Sequence, residues 1–166
     1  MSKGQFQEAM DNVNMVYGDL IKIANDMVTK VAGDTNRIIE EIRNRIETLT
    51  NDELRTYMAK LAINSYSFSE IKEKSAFKAQ CAEALRKEAY ATNFSTAEGS
   101  VAAKENTATI NTSDEIVVEN LYELVASLLK TKLDEIHRVV DVLKTVLMSR
   151  LSEAKLNNFS DATTNE

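Results

Sequence analysis

Few residues in this chain have the chemistry to do more than pack. His137 is the only histidine, and Asp134 stands three residues before it. A carboxylate-x-x-His element on one helix face is half of the di-metal site of some helical bundles. Such a site needs two of these elements plus further carboxylates, and the chain carries one, so only a second copy could complete it. The apolar stripe runs beside His137 rather than under it, which reads as a solvated flank position. Cys81 is the single cysteine and falls between Phe77 and Leu85 at helical spacing. That pattern predicts a small buried hydrophobe; no histidine partner is in view to make it a nucleophile. Four scattered glycines build no phosphate-cradling loop. No catalytic, cofactor-binding or metal-ligating residue is assigned, and the chain reads as a non-enzyme without cofactor.

The remaining candidates are basic. Lys72, Lys74, Lys78, Arg86 and Lys87 lie along one predicted helix, and Arg37, Arg43, Arg45 and Arg55 surround earlier ones. A local strip of this kind can contact phosphates even on an acidic protein. Glu73, Glu83 and Glu88 dilute it toward an ordinary solvated mixed-charge face. With 20 Lys and Arg against 26 Asp and Glu, the formal charge of −6 argues against general nucleic-acid binding, which rewards excess cations. The strip also lacks the interleaved aromatics on which single-stranded bases stack.

These side chains must be positioned by helices. Proline is absent, although average usage predicts roughly eight in such a chain; its absence permits long helices. The 166 residues suit one helical domain. The spacing predicts an all-α, elongated helical bundle: a long helix over about 5–48, shorter ones over about 51–64 and 68–92, and a second long helix over 113–156. The first carries Phe6, Met10, Val13, Tyr17, Leu20, Ala24, Met27 and Val31 as one stripe, with continuity or a mild kink at Gly33. "TNDE" at Thr50 and "SFSE" at Ser67 match capping boxes, and "TSDE" at Thr112 opens the last helix. That helix repeats its apolar positions every eleven residues, as at Val118, Leu129, Val140 and Leu151. Its broad stripe demands partners on more than one side, which points to a homo-oligomer. A disordered tail is expected from about 157.

The polar connection over 94–112 is longer than a bundle turn requires. It is either a return path along the bundle or a segment that orders on a partner. Ser100 can cap a helical turn over 101–105 within it. One cysteine excludes an intramolecular disulfide and makes a reducing compartment the default. The start "MSKGQFQEAMDN" lacks a signal-peptide core, and no apolar run reaches membrane length. The expectation is a soluble protein of the host-cell cytoplasm with no membrane partner.

"LRKEAYATNF", then "AEGSVAAKENTA", then a helix ending "LDEIHRVVDVLKTVLMSRLSEAKL" resembles a group of small helical accessory proteins of tailed bacteriophages. These are encoded in replication and recombination modules, near single-strand annealing or single-strand-binding proteins. The resemblance covers 70–156. Gly99, Ser100, Val101, Ala102 and Lys104 match that group's linker, and Arg138, Lys144 and Arg150 match basic positions of its last helix. It implies an accessory, non-enzymatic role in viral DNA recombination or replication. The acidic balance and the N-terminal helical region depart from the group and shift the expected partner from DNA toward a protein of the viral or host DNA machinery. The candidate interaction residues are therefore Lys72, Lys74, Lys78, Arg86, Lys87, Gly99, Val101 and Lys104. A structural or assembly protein, and an acidic inhibitor of a host DNA-processing or defence enzyme, are the alternatives.

Overall fold

A computed structural model describes the backbone of residues 3–163 and the side chains of 17–156, together with Gly4, Gln7 and Asp11. The fold is all-α, with four helices and no strand among the described residues: α1 (Lys3–Arg45), α2 (Asn51–Thr96), α3 (Val101–Ile110) and α4 (Ser113–Thr163).

α1 passes Gly33 without interruption. A Cβ there would meet nothing, so the glycine lies on an open side while Ala32 and Thr35 beside it are buried. The buried line of α1 runs Leu20, Ala24, Val28, Ala32, Thr35, Ile39, Ile42. Tyr17, Met27 and Val31, expected in that stripe, flank it and remain over a third exposed. Phe6, Met10 and Val13 lie outside the described side chains.

The capping box at Thr50 forms as read. Its N–H donates to Glu53 Oε2 at 2.7 Å, and the Glu53 N–H donates back to Thr50 Oγ1 at 3.2 Å. The two shorter helices expected after it are one helix, because the box at Ser67 does not form. With no glycine or proline there, the backbone ladder continues. The Ser65 hydroxyl donates to the Ala62 carbonyl at 2.7 Å, which lets serine sit mid-helix, and Phe68 is buried. The polar connection contains a true helix: Ser100 caps α3 by accepting from the Ala103 N–H at 3.4 Å. Thr112 then links α3 to α4. Its hydroxyl donates to the Ala108 carbonyl at 2.9 Å, and its carbonyl accepts the Ile116 N–H at 3.3 Å. α4 continues to Thr163, past the point where a disordered tail was expected; its side chains from 157 onward lie outside the described ones.

The chain divides into two compact units, residues 1–31 with 69–130, and residues 32–68 with 131–166. The core of the first unit sets Leu20, Ala24 and Val28 of α1 with Val125 and Leu129 of α4. The buried side of α2 here is small, at Ser75, Ala79 and Ala82, so α2 supplies little volume to that core. Arg86 Nε donates to Glu119 Oε2 at 2.7 Å, tying α2 to α4, with both side chains largely covered.

The second unit has a larger core of Ile39, Ile42, Leu54, Leu61, Phe68, Leu133, Ile136 and Leu143. Burying each such side chain stabilises by about 1.5–3 kcal/mol. Its one buried polar side chain on α1, Thr35, accepts from Asn64 Nδ2 at 2.9 Å.

Candidate interaction surface

The sequence-predicted basic residues of α2 surround its buried stripe rather than forming one strip. At 3.6 residues per turn, Lys72 and Arg86 border Ser75, Ala79 and Ala82, while Lys74 and Lys78 fall to one side and Lys87 to the other. Most are already engaged. Lys72 pairs with Glu73 at 2.9 Å, Lys74 with Glu70 at 2.5 Å, Lys87 with Glu83 at 2.6 Å, and Arg86 with Glu119. Hydrogen bonding to Lys74 and Lys87 holds the Glu70 and Glu83 carboxyls below their ordinary pKa. Lys78 lies 5.1 Å from the centroid of the Tyr122 ring, where the ring quadrupole attracts the ammonium. A basic set split around a helix and satisfied by its own carboxylates offers phosphates little uncompensated charge.

Gly99, Val101 and Lys104 belong to the start of α3. Gly99 has φ +105°, a region that favours glycine, and turns the chain from α2 into the Ser100 cap. Ala108 and Thr112 anchor α3 in the first unit, leaving Val101 and Ile110 exposed and Lys104 half-buried. Of the positive positions matched to the last helix, Lys144 pairs with Asp141, and Arg150 is used on backbone carbonyls around the α1–α2 turn.

A groove that sequence reasoning missed lies within the first unit. Met27 and Val31 of α1, Ile71 and Phe77 of α2, and Tyr122 and Val125 of α4 line a space of about 400 Å³. Its walls are apolar apart from Ser75, the Tyr122 hydroxyl, Lys74 and Lys78. The structure thus brings Lys74 and Lys78 to one feature and leaves Lys72, Arg86 and Lys87 on other sides of α2. The apolar positions of α1 and α4 that line it were legible as helical stripes, but nothing local to any one stripe marks an unfilled space.

Two assignments on α2 are corrected. Cys81 is exposed rather than buried, and its neighbours Phe77 and Leu85 are 65% and 61% exposed. The small residues Ser75, Ala79 and Ala82 face inward instead, and a helix that buries that side turns Phe77, Cys81 and Leu85 outward. His137 and Asp134 are exposed. Among the described residues no three His, Cys, Asp or Glu side chains are placed to share a metal ion, and no helix is long and apolar enough to cross a membrane. Comparison with known proteins gives no matching protein-family model, no similar curated protein and no similar solved structure.

Proposed function

We propose that this chain is a non-enzymatic accessory protein of bacteriophage DNA recombination or replication, acting by binding another protein through the groove of its first unit. The phage setting rests on the resemblance over 70–156. The mode of action rests on one observation: an apolar groove of about 400 Å³ lined also by Lys78, which lies over the Tyr122 ring, and by Lys74, which pairs with Glu70. Apolar side chains from a partner would fill the groove, as interface anchors fill pockets, and acidic groups beside them would meet the two lysines.

The test combines two measurements. Fluorescence anisotropy with single-stranded and duplex DNA is run at low and moderate salt. Tagged chain is then recovered from infected cells as wild type and as Met27→Glu, a groove substitution at a position 36% exposed. The expected result is little DNA binding at moderate salt, with a viral or host DNA-processing protein that co-purifies with wild type and is lost with the variant. Salt-sensitive DNA binding that weakens on Lys72→Glu or Lys104→Glu would replace this reading with direct DNA contact. Recovery of neither DNA nor a replication protein, with a large assembly in solution, would make the chain a structural protein.

A further inference from the structure

The outward side of α2 in the first unit carries five residues arranged symmetrically about Cys81. Lys74, Phe77, Cys81, Leu85 and Glu88 are separated by three, four, four and three residues. This spacing averages 3.5 and keeps all five on one side of a helix. That side is turned away from the buried Ser75, Ala79 and Ala82, with Lys74 and Phe77 also bordering the groove. Phe77 and Leu85 are well exposed, as are Cys81, Glu88 and the Lys74 side chain at 68%.

The charges on this face show what fits it. A uniformly acidic or basic partner would satisfy Lys74 or Glu88 and oppose the other. A second copy lying antiparallel, with Cys81 on the two-fold axis, satisfies both: Lys74 faces Glu88 of the second copy and Phe77 faces its Leu85. By symmetry each contact is made twice. Parallel pairing would instead set Lys74 against Lys74 and Glu88 against Glu88. We propose that the chain forms an antiparallel homodimer through the Lys74–Glu88 face of α2, with the small Cys81 side chain at the axis allowing close approach. A contact of this length is at or below the roughly 800 Å² per partner of standard interfaces, so the dimer dissociates on dilution. This goes beyond the proposed function; the face shares Lys74 and Phe77 with the groove, and Cys81, Leu85 and Glu88, which do not line it, distinguish the two.

The test is sedimentation across a concentration series with charge-reversed variants at these exposed positions, checked for helicity by circular dichroism. Lys74→Glu and Glu88→Lys should each weaken dimerisation about tenfold, as like charges replace two attractive pairs. The double variant should return to within a few-fold of wild type. Oxidation by diamide, which takes two electrons and two protons from a pair of thiols, should trap the wild-type dimer through Cys81 as a reductant-sensitive species. The Leu85→Asp variant should give no such species. A chain that stays monomeric at every concentration overturns the proposal. So does a dimer insensitive to both single reversals, or a double variant that is not rescued. Met27→Glu, which tests the groove, should leave the dimer unchanged.

Discussion

Arg150 of α4 donates from Nη2 to the Glu47 carbonyl at 3.0 Å, across 103 residues of sequence. The same guanidinium donates to the carbonyls of Ile46 and Leu49. These groups follow the end of α1 at Arg45, where helical carbonyls run out of intrahelical partners and a cation is favoured. Replacing Arg150 by alanine removes all three bonds in the second unit. Charge-assisted hydrogen bonds are worth about 1.5–3 kcal/mol when lost, so Arg150→Ala should lower stability by about 2–4 kcal/mol. Arg150→Lys should recover only part of this, because an ammonium cannot reproduce the planar fork. Denaturant midpoints of the two variants check the order.

Gly99 makes the turn between α2 and α3 at φ +105°, and an added Cβ would lie 3.4 Å from the Ala103 Cβ. The space is tolerable; the backbone conformation is not. Gly99→Ala should therefore cost about 1–3 kcal/mol, the usual penalty for holding a non-glycine residue in such a region. Ser100→Ala, which removes the cap, should cost about 1 kcal/mol. Chemical denaturation with an unchanged m-value separates both from a general loosening of the chain.

The parts of this fold that were legible in the sequence are those encoded locally. The Thr50–Glu53 box and the Ser100 cap each occupy four consecutive residues, and both form. The all-α class follows from missing proline and continuous helical spacing. The four-residue box at Ser67 marks no helix start because serine is tolerated inside a helix as well as at its cap, as at Ser65, whose hydroxyl bonds back to Ala62, and α2 runs on through it. The choice of buried face on α2 failed for a different reason. Phe77, Cys81 and Leu85 share their period with Ser75, Ala79 and Ala82, so periodicity cannot rank the two sides. Hydrophobicity favoured the large residues, whereas the helix buries the small ones. The groove was invisible because its walls come from segments around 27–31, 71–78 and 122–129.

That inverted face makes a direct prediction. Ala82 is 6% exposed and Leu85 is 61% exposed, three residues apart on α2. Ala82→Leu adds a side chain where α2 is closely covered, and overpacking of this sort costs about 1–3 kcal/mol. Leu85→Ala removes a side chain that buries little in the monomer, so its effect at dilute concentration should stay within about 0.5 kcal/mol. Thermal unfolding of the two variants at low protein concentration distinguishes them. If Leu85→Ala proved the more damaging there, the outward assignment of this face would be wrong.

Glu135 on α4 accepts from Lys132 Nζ at 2.5 Å and from Arg43 Nη2 at 2.8 Å. The Lys132 hydrogen bond is the largest cause, and with the charges of Lys132 and Arg43 it outweighs partial burial and holds this carboxyl below its ordinary pKa. In the unfolded chain the same group takes a proton near the usual carboxylate value, about 4.3. Over the interval between those two values the unfolded state binds more protons, so stability rises with pH. The contribution is fully present above the usual carboxylate range and is lost as pH falls through the lowered folded value. Glu135→Gln cannot titrate, so its deficit relative to wild type should be greatest at about pH 6 and should shrink toward about pH 3. Glu41 and Glu53, lowered mainly by hydrogen bonds from Tyr57 and from the Thr50 backbone respectively, keep their own acid dependence in both proteins and cancel from the difference. Denaturant titrations of wild type and variant across that range give the result, and a deficit that is constant with pH would assign the Glu135 contacts a purely geometric role.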